Sequence, residues 1–292
     1  MLKFKGVMVT LIFRRYLAHL QTYQQPSIVF LLPMASHART SSFLTQRIAA
    51  PYNGRGKKLK TRANASPTTK QMAVINWENV LVPMDWLAVY LGLGTSHAAV
   101  KTAVIRCQSS PELLRSLAAI ESRIMELLTE TMRLVGGPVF IVSEYTTSYV
   151  ELVSSLFFSR LTAALRNSSS GIYVVGTPDT QLSIQEMKQW KVNLLHTAIH
   201  EHLFTGMSAE STTNLLGRSV TGRIKVVALC SSDADVAAIS AIHLMAPNAV
   251  IKRFKTQSAT PAFSHSPLTP VSLDDFYGQL QGLMQFVRQS TN

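Results

Sequence analysis

From residue 72 to 290, short apolar runs alternate with helically spaced apolar positions. That rhythm predicts a parallel sheet whose strands are joined by crossover helices. The runs Met72–Ile75, Val139–Ser143, Ile172–Val175, Lys225–Leu229 and Ala249–Arg253 are the expected strands. They are short and rich in Val and Ile, as strands covered on both faces tend to be. Leu113, Leu117, Ile120, Ile124 and Leu127 recur at spacings of four and three, which predicts a long amphipathic helix. Ser110-Pro-Glu supplies its cap, a proline for its first position and an acid for its first turn, and Gly136-Gly137 stops it. Further helices are expected over Ser148–Arg166, Ser183–Phe204, Asp233–Met245 and Ser272–Gln289. Right-handed crossovers then give an α/β, Rossmann-like, doubly wound domain with helices on both faces and a small cap or none. Internal repeats, a G-x-G-x-x-G turn and a Walker loop are missing from the chain.

Charge divides the chain differently from hydropathy. The net charge of +12 suggests a nucleic-acid partner until it is located. Twelve of the 28 basic residues and none of the 16 acids lie in residues 1–71. The remainder holds 16 bases against 16 acids and is formally neutral, so only the leader is basic. The expected organisation is a leader and linker over 1–71 and one α/β domain over 72–292.

An acid-free opening with arginine and serine has the composition of a mitochondrial transit peptide. Phe4, Val7, Leu11, Ile12 and Leu20 fit a helical face within it. Its apolar run Gly6–Phe13 is short for a secretory signal and ends at Arg14-Arg15. Secretion and a disordered cytosolic tail remain the alternatives. The tract Gly54-Arg-Gly-Lys-Lys-Leu-Lys-Thr-Arg62 reads as a solvated linker or as an RNA contact. Nowhere does an apolar stretch reach the roughly 18 residues a transmembrane helix needs. Cys107 and Cys230 are too few for a disulfide framework and are expected to be incidental buried thiols.

The first strand runs into Val74-Ile-Asn-Trp-Glu-Asn-Val-Leu-Val-Pro-Met-Asp-Trp-Leu87. This resembles the opening of haloacid-dehalogenase phosphatases, D-x-D-x-T, and in particular a subgroup reading roughly D-W-D-D-T-L-x-P-T-x-W-L. Trp77, Leu81, Pro83, Trp86 and Leu87 fit, whereas Asn76, Glu78 and Val80 replace the two aspartates and the threonine. Ser143 closes a run similar to the family's second strand, whose terminal hydroxyl binds the phosphoryl group. Lys191 matches the lysine that neutralises that group. Val226–Asp235 falls where the family has a strand and G-D-S-x-x-E/D, with Cys230 for the glycine, Ser231 for the metal-binding aspartate and Asp235 as the trailing acid.

The resemblance implies an altered centre. In the family the first aspartate attacks phosphorus and helps hold magnesium, and the second protonates the leaving group. Asn76 lacks the charge of that nucleophile. Glu78 keeps a carboxyl, but its additional methylene displaces the group by roughly 1.5 Å. Asn76, Ser231 and Asp235 are the degenerate metal positions, and magnesium ordinarily takes one or two carboxylates. Asp233 or Asp235 either compensates or simply caps the next helix. Ser143 and Lys191 form a metal-free anion pocket, or else Lys191 lies on an exposed helix face.

The expected function is therefore a catalytically degenerate domain that binds or assembles, with protein partners in a larger complex and no resident cofactor. A working magnesium-dependent phosphatase or phosphotransferase with rearranged acids is the runner-up. A third reading places zinc on the helix His196-x-x-x-His200-Glu-His202, where His196 and His200, four apart, share a face, with no obvious third ligand beside them.

Overall fold

The Val- and Ile-rich runs become the middle of the molecule. Residues 69–167, 169–178, 182–204, 224–256 and 270–291 are described by the computed structural model, and all fall in the unit Arg62–Asn292. The readings made for the leader lie outside the described residues, apart from its last three.

The chain runs β1 (Lys70–Asn76), α1 (Met84–Leu91), α2 (His97–Gln108), α3 (Pro111–Val135), β2 (Val139–Ser143), α4 (Thr147–Phe157) and α5 (Ser159–Arg166). It continues through β3 (Ile172–Gly176), α6 (Ile184–Ile199), β4 (Ile224–Cys230), α7 (Asp233–Met245), β5 (Val250–Lys255) and α8 (Leu273–Thr291). The five strands form one all-parallel sheet in the order β3-β2-β1-β4-β5. The chain winds outward from β1 to β3, then returns to β4 on the other side of β1. That reversal creates a switch point between β1 and β4, the place where open α/β sheets hold their sites.

Alternate residues of β5 reveal which helices cover which face. Phe254 packs its ring on Phe286 of α8, while Arg253 and Lys255 reach Ser240 and Asp233 of α7. Because strand side chains alternate faces, α7 and α8 lie on opposite sides of the sheet. α3 packs beside α8, and α6 beside α7, which gives the expected doubly wound layers. β1, β2 and β4 are buried nearly throughout. β5, expected as a covered strand, is an exposed edge because it has one neighbour among the described residues and carries Lys252, Arg253 and Lys255.

The long helix starts and stops as its sequence implies. Ser110 Oγ accepts from Leu113 N at 3.2 Å, Pro111 opens the first turn, and Gly136 is left-handed at φ 60°. The expected helix over Ser148–Arg166 is instead two helices, broken where Phe158 turns to φ −140° and buries its ring completely. That break strands the first N–H groups of α5, since Phe158 has no capping atom. Glu121 of α3 supplies the missing acceptor: its Oε1 takes Arg160 N at 2.6 Å and Leu161 N at 3.1 Å. Glu121→Ala should therefore lower stability by about 2 kcal/mol, the loss of an acceptor shared by one buried and one part-buried donor. Urea unfolding checks this, and a loss below about 0.5 kcal/mol would mean that water caps α5 equally well.

The helix expected over Ser183–Phe204 ends at Ile199, and its last turn widens into a π-helical turn, His200–Phe204. α1 and α2 were not anticipated. α1 spans only eight residues, and α2 buries small side chains such as Ala103 and Cys107 that give little periodic signal.

Candidate functional site

β1 ends in Asn76 at the switch point, and the chain then reverses through a tight turn. Asn79 adopts φ 55°, a left-handed conformation that asparagine accepts more readily than most residues. Asn79 N donates to Val82 O at 2.8 Å, and its side-chain oxygen accepts Asp85 N at the start of α1 at 3.1 Å. Gln279 of α8 pins the turn by donating to Asn79 O at 2.8 Å. Val80 is fully buried and serves as packing. Gly176 keeps a second approach open, because a Cβ there would lie 2.3 Å from Thr147 N and 2.4 Å from Tyr145 O. The β2–α4 turn is thereby held against the end of β3.

Asn76, Glu78, Ser143, Lys191, Ser231 and Asp235 all converge on this end of the sheet, linked by hydrogen bonds. Asn76 Nδ2 donates to Ser231 Oγ and to Glu78 O, the latter at 3.2 Å. Ser231 Oγ donates to Asp235 Oδ2 at 3.4 Å. Asp235 Oδ2 also accepts the backbone N–H groups of Ser231 and Ser232, at 3.0 and 2.9 Å. Asp235 Oδ1 faces Lys191 Nζ at 2.5 Å. Lys191 is 2% exposed and pairs also with Glu144 Oε1 at 2.6 Å. Burial pulls its ammonium down, but Asp235 and Glu144 together outweigh that and hold it above its ordinary value.

The exposed-face reading of Lys191 is thus corrected. Its aliphatic stem crosses the core, and its charge is met by two of the protein's own acids. Asp235 is both the N3 member of the α7 capping box, as the capping reading expects, and the ion-pair partner of Lys191. Asp233, by contrast, is exposed and pairs with Lys255 at 2.6 Å, away from the centre.

Glu78 forms a separate arm. Its Oε1 accepts Ser143 Oγ at 2.5 Å and Glu144 N at 2.9 Å, while Oε2 is buried without a hydrogen-bond partner. Burial pushes this carboxyl up to about 7, against the lowering influence of the Ser143 hydroxyl. Neighbouring Glu144 adds to the rise and Lys191 opposes it. Asn76 Oδ1 is likewise buried and unpartnered.

The cavity among Asn76, Lys191, Cys230 and Asp235 has a volume of about 20 Å³. It has room for about one water molecule, not for a phosphate. With Lys191 already neutralised as well, the expected anion pocket is not open in this structure. Cys230 lines the same cavity, and burial pushes its thiol up to about 12. It is an inert neighbour rather than a nucleophile. Both cysteines are free and buried, as expected.

Glu144 is the site residue that sequence reasoning missed. The available signal was its position directly after Ser143, at the carboxyl edge of β2. The histidine helix gathers no metal set: among the described residues, no three of His, Cys, Asp and Glu come together to hold an ion. His202 instead packs its ring against Phe140 and Tyr173 at centroid distances of 5.3 and 4.8 Å.

No protein-family model, curated protein or solved structure matches the chain significantly. The chemistry of the centre therefore rests on its own residues. Magnesium does not fit them well. Asp235 is saturated by a cation and three donors, Asn76 and Ser231 offer neutral oxygens, and Glu78 is held close to neutrality. A hard dication needs more free negative oxygen than this. Among the described residues, no helix is long and apolar enough to cross a membrane.

Proposed function

We propose that this chain is a catalytically degenerate haloacid-dehalogenase-like domain that acts as a binding or assembly component of a larger complex. The observation that carries the reading is Asn76. It occupies the end of β1, where the resembled family places its nucleophile, and its amide nitrogen is engaged by Ser231 and Glu78. An amide oxygen lacks the carboxylate's charge, so a phosphoenzyme has no ordinary way to form. The ion pairs of Lys191 add support, because the group that would neutralise a phosphoryl oxygen is held by Asp235 and Glu144. A centre that once opened to substrate would have become a polar core whose lysine is paired internally. The acid-free leader, proposed as a mitochondrial import segment with a basic tract able to meet RNA, suits a subunit that embeds its tail in an assembly. That extension of the proposal rests on composition alone.

One observation favours the runner-up, an active phosphatase: Glu78 is held near neutrality, as a proton donor to a leaving group would be. Assay of the full chain with a generic phosphomonoester and magnesium separates the two. The expected outcome is no saturable hydrolysis. Turnover abolished by Asn76→Ala would overturn the proposal. Asn76→Asp with Ser231→Asp should restore some activity where neither does singly, because nucleophile and metal ligand act as a unit.

A further inference from the structure

β5 ends the sheet on one side. It pairs with β4 and with no other strand among the described residues. Five of its six residues are exposed, including Val250 and Phe254 at 40% and 37%. An edge strand presents alternate backbone N–H and C=O groups that another strand can pair with. We propose that this edge receives an extended acidic segment of a partner protein as a sixth strand.

The two faces of β5 differ in a way that specifies the occupant. Arg253 and Lys255 project toward α7, where they meet Ser240 and Asp233. Lys188 of α6 adds positive potential there, acting on the same Asp233. Three cations against one acid leave that face positive. On the other face stand Val250, Lys252 and Phe254, with Phe254 seated on Phe286 of α8. A strand added beside β5 alternates its own side chains in the same way. Acidic residues at every second position would meet the α7 face, and apolar residues between them would cover Val250 and Phe254.

Lysine and arginine on an edge strand also deter indiscriminate pairing. Here they narrow the choice of occupant. A second copy of β5 is a poor partner, because Lys252, Arg253 and Lys255 would be set against the same charges. A neutral strand would meet those cations with nothing to offset them. An acidic strand satisfies the backbone and the charges of the α7 face, while the exposed Lys252 ammonium on the other face stays in water. The inference is independent of whether the Lys191 centre is active, since β5 lies at the sheet's edge.

The test uses the full chain and a synthetic eight-residue peptide alternating glutamate and valine. Binding is followed by fluorescence polarisation, and hydrogen exchange reports on residues 250–255. The expected result is saturable binding that slows exchange in β5. Affinity should fall roughly tenfold or more in Arg253→Glu/Lys255→Glu and weaken as salt rises. A peptide of the same composition with its glutamates and valines in two blocks should bind more weakly. Three results would overturn the proposal: equal binding of the blocked peptide, bound peptide that leaves β5 exchange unchanged, or an eight-nucleotide oligouridylate that protects β5 more tightly than the peptide. The wild-type arms stand even if the double variant fails to fold.

Discussion

Lys191→Met is expected to lower the stability of the folded domain by about 3 kcal/mol, the lower end of what breaking a buried ion pair costs. Methionine nearly matches the lysine stem in volume, so the loss reports the charge rather than a cavity. The reasoning turns on what each acid retains. Asp235 keeps the N–H groups of Ser231 and Ser232, so its charge is not wholly abandoned. The Glu144 side chain is 40% exposed and can turn toward water. Asp235 therefore carries most of the penalty. Two comparisons sharpen the test. Glu144→Gln should cost less than about 1 kcal/mol, as for a partly solvated pair. Lys191→Met/Asp235→Asn should recover part of the loss, because the orphaned charge leaves with its partner. Urea unfolding measures all three. A loss below about 1 kcal/mol for Lys191→Met would mean that the buried pair does not hold in solution.

Much of the architecture is legible in the sequence, for reasons that explain the exceptions. β1, β2 and β4 sit between two helix layers, so both of their faces select apolar residues and the runs stand out. Asn76, Ser143 and Ser231 were placed together through the resemblance, and they do share one end because in a doubly wound sheet the residues just past such runs lie at the same edge. Lys191 was placed in the same centre through the resemblance. Its burial was not visible, because a lysine among Gln189, Trp190 and Val192 fits an exposed helix equally well. Glu144 escaped for a related reason: one acid after a strand has no periodicity to mark it. The break at Phe158 depends on a carboxylate 37 residues earlier, Glu121, which local patterns do not connect to it. β5 shows a more general limit. Its Lys-Arg-Phe-Lys pattern signals solvent, but only the strand order shows that the solvent lies at a sheet edge.

Between about pH 4.5 and 7, the Glu78 carboxyl should make the protein less stable as pH rises. Its folded value lies near 7, raised from 4.5 chiefly by burial. The folded state therefore binds the proton more tightly than the unfolded state. For such a group the stabilising contribution is fully present below the unfolded value and is lost as pH climbs through the folded one. At about 1.4 kcal/mol per pH unit, the loss amounts to about 3 kcal/mol across the window. Its surroundings explain the sign. Ser143 Oγ and Glu144 N favour the charged form and Lys191 attracts it, but Oε2 has no donor and Glu144 repels it. Burial raises the neighbouring Tyr145 phenol, and the negative charges of Glu78, Asp85 and Glu144 raise it further. Other acids and histidines titrate in the same range, so the wild-type curve alone does not isolate Glu78. Glu78→Gln does, because its amide oxygen can still accept from Ser143 and Glu144 while it cannot ionise. The variant should be the more stable protein at pH 8, and its advantage should shrink toward pH 4.5. Unfolding free energies of both proteins at four or five pH values give the difference curve. A flat curve would mean that Glu78 is ionised throughout, with water reaching Oε2. It would also remove the one observation that favours an active proton donor at this centre.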